Sequence, residues 1–325
     1  MVKMAKKNSS KTTGAMGDLF EQSPGAEQPG SEHSPIIMTA SDEKLLAYGI
    51  QISTEPVKGN DMAFSHTVLC QVGLPRSKVD GRVFTRQTGE AWVSIQAGQL
   101  DEGTGGPVDQ PLPYGVMPRL ALAWISTYAK RHDTPEIPLG DSAAAFLRTL
   151  GLDNQGSRYA TLRKQMHALA ACRLQMGYKG RTVNVGEPIE QFDAWISNKE
   201  QLQRSLWPGV MTLSSKYFSE LRDHAVPLDN RAMLALKGSA LALDIYTWLA
   251  YRLRRINGRA VVLHWHNLRE QFGQEYIGPN ADKSFKKEFK KALAQVQTVY
   301  PKAQVNVVKT GISLLSSPPP VPTKD

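Results

Sequence analysis

Between residues 118 and 132 the chain reads PRLALAWISTYAKRH, with apolar positions at helical spacing, and a short extended PEIPLG follows. Next comes a small helix, DSAAAFLRTLGL, opened by Asp141 or Ser142, whose side-chain oxygens can accept from the first free amides. A longer helix is predicted over 156–176, GSRYATLRKQMHALAACRLQM, and then a hairpin containing Lys179 and Arg181. Roughly 120 residues later the pattern returns. A helix over 239–255 places Leu241, Ile245, Trp248 and Leu249 on one face. Strand AVVLHW follows, then small helix HNLREQFGQEY, then a helix containing DKSFKKEFKKAL. Strands AQVNVV and GISLLS close the copy, with Lys309 between them.

Helix, strand, helix, helix and a two-stranded wing is the element order of a winged helix, whose third helix can enter a major groove while the wing touches backbone. The expected fold is therefore α+β, two tandem winged-helix domains at 34–207 and 208–316. Before the first copy, FSHTVLCQVGLP reads as a strand and GRVFTRQTGEAWVSIQAG as a hairpin turning at Thr88-Gly89, an N-terminal β-hairpin extension. DEGTGGPVDQPLP reads as a loop. Residues 1–33 carry almost nothing to bury and read as a disordered tail. Residues 317–325 are Pro-rich and read as a frayed end.

Charge sharpens the picture by where it sits. The net charge is +9, yet residues 1–112 hold 10 Lys/Arg against 13 Asp/Glu, and residues 113–325 hold 29 against 17. A basic excess confined to the repeated part points to a polyanion, and nucleic acid is the commonest. It is concentrated on the last long helix. At 100° per residue, Lys283, Lys286, Lys287, Lys290 and Lys291 fall within about 140° of arc, and Phe285, Phe289, Ala292, Leu293 and Val296 oppose them. Only Glu288 stands among the five lysines, so this is not the mixed-charge face of an ordinary solvated helix. Lysine suits phosphates as a flexible point charge, so the lysines position the helix, and Ser284 is a candidate reader of bases. In the first copy Leu162, Met166 and Leu169 line one side, and Arg163, Lys164 and His167 the other, with Arg158 and Tyr159 near the amino end.

Other chemistry fits less well. The strand VVLHWH carries His264 and His266 in alternation, with Tyr276 ten residues on. Two histidines on one strand face and a tyrosine nucleophile would suit a metal-dependent rolling-circle nickase, but no carboxylate is placed to complete a metal site. No phosphate-binding G-x-x-x-x-G-K-[ST] loop occurs, so nucleotide-driven unwinding is not expected, and neither catalytic residues nor cofactors are. Cys70 and Cys172 stand far apart, as reduced cytoplasmic thiols would. No run reaches the roughly 18 apolar residues of a membrane span, and the lysine-bearing start has no hydrophobic stretch of a secretory signal.

The blocks LPYGVMPRLALAWISTYA, LGDSAAAFLRTLGL and TLRKQMHAL, with the later PLDNRAMLALKGSALALDIYTWLAYRL, resemble the plasmid replication initiator (RepA) family. The resemblance runs from about residue 62 to the end. It implies a two-winged-helix initiator that binds directly repeated duplex sites at a plasmid origin, in the bacterial cytoplasm. It further implies help in melting the adjacent duplex and recruitment of the host initiator and helicase. A homodimer formed through the first winged helix, repressing its own promoter, is implied as well. Carried over by position, Lys283–Lys291 is the second reading helix and Arg158–His167 the first. A plain winged-helix repressor would share all of these features except support of replication.

Overall fold

The computed structural model describes residues 38–102, 105–140, 142–153, 156–192 and 209–322. The expected tail at 1–33, the boundary at 207/208 and Asp141 lie outside them. Helix α1 (Ala40–Thr54) opens with a capping box, in which Thr39 Oγ1 accepts from Asp42 N and Asp42 Oδ2 accepts from Thr39 N. Strand β1 (Met62–His66) runs directly into helix α2 (Thr67–Val72), so the segment expected to be one strand is half helix. His66 makes the change of direction: its Nδ1 accepts from Val68 N at 3.2 Å and caps α2. The expected hairpin is present as β2 (Val83–Thr88) and β3 (Ala91–Gln96). The segment read as a loop contains a small ladder, β4 (Gln99–Asp101) with β5 (Pro107–Asp109).

Helix α3 (Val116–His132), strand β6 (Glu136–Pro138), helix α4 (Ala143–Thr149), helix α5 (Gly156–Ala171) and the hairpin β7 (Arg173–Tyr178) with β8 (Arg181–Gly186) follow in the predicted order. Ser142 is the cap of α4, its Oγ accepting from Ala145 N. Helix α5 ends at Ala171, five residues before the predicted end. From Arg173 the period becomes two, and buried Leu174 and Met176 lie opposite Ile95 and Val93 of β3. The hairpin thus extends a four-stranded sheet ordered β2-β3-β7-β8. Strand β6 does not close on this hairpin. It pairs with β10 (Val210–Leu213), which pairs with β9 (Ile189–Phe192).

Helix α6 (Ser215–His224), strand β11 (Ala225–Asp229) and helix α7 (Asn230–Ala235) lead to the second copy. There α8 (Ala240–Arg252), β12 (Val261–His264), α9 (Trp265–Phe272), α10 (Ala281–Val299), β13 (Val305–Val308) and β14 (Gly311–Leu314) stand in the predicted order, with a sheet ordered β12-β14-β13. The described residues form one compact unit. Strand β11 takes β1 as its partner, Met62 opposite Asp229 and His66 opposite Ala225. The end read as frayed is held down. Ser317 Oγ accepts from Gln304 N, the Tyr300 hydroxyl donates to Pro318 O, and Val321 is buried. A proline-rich segment has few amides to satisfy, so it can lie on a core that its neighbours complete.

Burial also fixes two kinds of titratable group. Cys70 and Cys172 are free and buried, and burial pushes both thiols up to about 12. His66 is pushed down to about 3 by burial and then by the charge of His224, and its Nε2 has no hydrogen-bond partner among the described residues. Glu220 stands 4.0 Å from that nitrogen, with the rings of His224 and Tyr217 beside it. A histidine held neutral by the fold binds fewer protons folded than unfolded. Its contribution is present above its ordinary value of 6.5 and is lost as pH falls towards about 3. His66→Asn keeps a capping oxygen and removes the titration. The melting temperature of wild type should fall more steeply below pH 6.5 than that of the variant; parallel profiles would refute the assignment.

Candidate nucleic-acid interface

Helix α10 follows the turn Gly278-Pro279-Asn280, and its apolar side completes an aromatic cluster. Phe289 meets Phe285 at 5.5 Å, Phe272 at 5.7 Å and Trp265 at 6.0 Å between ring centroids, and Tyr276 meets Phe285 at 5.6 Å. Phe285 and Phe289 are fully buried, which fixes the rotation of the helix. Fixing the back fixes the front. Lys283, Ser284, Lys287, Lys290 and Lys291 are exposed and Lys286 is half-buried, so the predicted division of faces holds residue by residue. Lys286 and Lys290 carry their ammonium groups 5.9 and 5.6 Å from the Trp265 ring, which supports their stems and leaves the charges at the surface.

Two of the carboxylates nearby are engaged elsewhere, while Glu288 lies exposed on the same helix and Lys291 acts on the Asp42 carboxyl through its charge. Asp282 pairs with Arg269 at 2.8 Å and Glu270 with His266 at 3.3 Å. Among the described residues none of the five lysines makes an ion pair. Lys309 is exposed on the turn between β13 and β14.

The first copy is less open. Lys164 and Arg158 are exposed, but Arg158 faces Asp153 at 4.0 Å, Arg163 is half-buried, and Tyr159 packs against the core. His167 is not on the surface at all. It is 2% exposed, its Nδ1 lies 3.3 Å from Glu102, and burial holds its pKa below the usual value although Glu102 acts the other way. It fills a gap between α5 and β9, edge-on to Phe192 at 5.9 Å, and cannot meet a duplex as packed. In the hairpin, Lys179 takes a left-handed backbone, φ 50, at the turn and stands 3.9 Å from Glu90. Arg181 donates to Glu220 at 2.6 Å and lies 3.3 Å from His224. The cations of α10 are therefore free where those of the first copy are largely compensated.

The nickase geometry is not formed. Strand β12 ends at His264 and His266 sits in the first turn of α9, so the two histidines do not share a strand face. Tyr276 is half-buried against Phe285. Among the described residues no group of three His, Cys, Asp or Glu could hold a metal ion, and no helix is long and apolar enough to cross a membrane.

A buried ionic cluster was missed from sequence. Arg119 on α3 clamps Asp244 on α8 through Nε at 2.7 Å and a terminal nitrogen at 2.9 Å, and Arg76 joins from the second side at 3.2 Å. Arg76 also pairs with Glu275, as does Arg86 at 2.8 Å, itself 1% exposed. Burial raises the pKa of Glu275, but Arg76 and Arg86 outweigh it and leave the carboxyl below its usual range. The cluster ties the α2–β2 connection, α3 and α8 to the turn after α9, and so sets where α10 begins.

Residues 112–267 match the family described as "Plasmid encoded RepA protein". Two crystal structures of domains 2 and 3 of RctB are similar in architecture. One is 11% identical with a TM-score of 0.45, covering 77% of this chain and 96% of that one. The other is 10% identical with a TM-score of 0.43, covering 76% and 94%. No curated protein matches.

Proposed function

From the match of residues 112–267 to the plasmid-encoded RepA family, we propose that this chain is a replication initiator that binds duplex DNA at a plasmid origin. The observation that carries the DNA-binding part is the unpaired lysine face of α10, exposed along the helix and fixed in rotation by Phe285 and Phe289. In this reading the helix serves as the reading helix and the turn bearing Lys309 as the wing, supported by the order of elements around them. Lys283, Lys286, Lys287, Lys290 and Lys291 then sit against phosphates on both rims of a major groove, and Ser284 faces the bases. Arg158, Arg163 and Lys164, with Lys179 and Arg181 on the first hairpin, make a weaker second contact, because most of them must first leave a carboxylate. The protein carries no catalytic chemistry. Origin melting, recruitment of host initiator and helicase, and repression of its own promoter as a dimer belong to the same proposal.

Footprinting on the DNA flanking the gene should show protected direct repeats, and an origin-bearing plasmid should fail to replicate without the protein. Protection at a single promoter site with no effect on replication would identify a plain repressor instead. If about five phosphates are neutralised, log K should fall with log salt at a slope near −4 to −5. Fluorescence anisotropy of a labelled duplex across a salt series measures it, and a slope near zero would rule out the lysine contacts.

A further inference from the structure

A cleft of about 620 Å³ lies between the β2–β3 and β7–β8 hairpins on one side and α8, β12 and α9 on the other. None of the five lysines of α10 lines it, and its lining is unlike that of a void. Tyr251 and Tyr178 form one wall, and the Arg255 guanidinium lies over the Tyr251 ring at 3.7 Å, held by a donation to Tyr251 O at 2.6 Å. The same three residues line a second cavity of about 400 Å³, to which Arg254 and Arg181 contribute, so the two spaces share a wall.

The charges in the cleft are unequally satisfied. Glu90 has Lys179 at 3.9 Å and Glu270 has His266 at 3.3 Å. Arg252 and Arg255 have no carboxylate partner among the described residues. Two buried polar atoms of lining residues, Thr88 Oγ1 and Arg252 Nε, have no hydrogen-bond partner among the described residues. Arginines at a helix C-terminus complement its dipole, which accounts for their position at the end of α8 but not for a desolvated Nε left unpaired. Carboxamides of Asn257 and Asn267 also face the space.

Aromatic faces, unpaired guanidiniums and carboxamides together fit one ligand chemistry. Rings stack on a planar base, a guanidinium takes a phosphate through paired donors, and an amide can satisfy a base edge. The volume lies within the range of about 300–1,000 Å³ seen for small-molecule clefts. We infer that this cleft binds a nucleotide, with the base against the exposed Tyr178 ring and the phosphate on Arg252 and Arg255. The nucleotide is free in solution or one unit of a single strand, and the chemistry of recognition is the same for both.

The test titrates the full chain with AMP, ATP, inorganic phosphate and a short oligothymidylate, read by calorimetry. Arg255→Gln and Tyr178→Ser, both at exposed positions on the rim, should each weaken binding about tenfold, as loss of a stacking or charge contact does. The triple variant Lys286→Ala, Lys287→Ala, Lys290→Ala should bind AMP as wild type does. Saturable AMP or ATP binding that both rim variants weaken supports the site with a free ligand. Binding of oligothymidylate alone, with the same sensitivity, supports it with a strand as the source. No binding of any nucleotide at millimolar concentration overturns it, as does equal competition by inorganic phosphate or indifference to both rim variants.

Discussion

Alanine at Lys286, Lys287 and Lys290 together should lower affinity for the duplex site about a hundredfold at physiological salt. Each phosphate contact releases about 0.9 counterion, and at 0.15 M salt that is worth about 0.7 decade of affinity, so three contacts amount to about two decades. The salt slope should become shallower by about 2.7 at the same time, because it counts the contacts directly. None of the three side chains belongs to the core, and the buried back of the helix is untouched, so the melting temperature should hold. Anisotropy titrations at several salt concentrations, with a thermal melt beside them, make the measurement. Affinity and slope both unchanged would remove α10 from the interface.

Asp244→Ala should be the most damaging single substitution away from the apolar core, costing about 3–5 kcal/mol. Asp244 is 7% exposed and answers Arg119 and Arg76 together, and its removal leaves the buried Arg119 guanidinium without a counter-charge and Arg76 with Glu275 alone. The position is diagnostic because the pair need not be stabilising in itself. Replacing Asp244 by Leu and Arg119 by Met together should recover much of the loss, since well-packed apolar groups can stand in for a buried ion pair. Urea unfolding of the two variants tests both halves. A loss below about 1 kcal/mol for Asp244→Ala would mean that water reaches the cluster.

That cluster also marks where the sequence was legible and where it was not. Amphipathic elements could be read directly. The greasy back and basic front of α10, the Thr88-Gly89 hairpin and the Ser142 cap each follow from local period and turn chemistry. Three features could not be read, for three different reasons. Helix α5 was extended to 176 because Ala170, Ala171 and Leu174 continue an apolar run, and only pairing with β3 turns Leu174 and Met176 into a strand. His167 looked like a surface cation because a helical wheel does not show that β9 and Glu102 cover that flank. Helix α1 went unremarked because its buried face is narrow, with Gly49 against Thr298 of α10, and Leu46 and Ile50 stay exposed. A usable signal for the ionic cluster was present. Arg119 in PRLALAWI and Asp244 in SALALDIYTW are single charges in apolar helices, and such charges are retained when they face each other. Those two blocks are among the four on which the family resemblance rests.

The pairing of β1 with β11 has a consequence for biogenesis. The two strands are separated by roughly 160 residues, and among the described residues each has the other as its only sheet neighbour. At about 5–20 residues per second, a ribosome needs roughly 8–30 s to deliver the second after the first has emerged. During that interval β1 presents an open hydrogen-bonding edge, with Val68 and Leu69 just behind it waiting for α8. The nascent polypeptide must therefore be shielded until the late arrival docks, and its yield in the cell should depend on holdase supply well before its activity does.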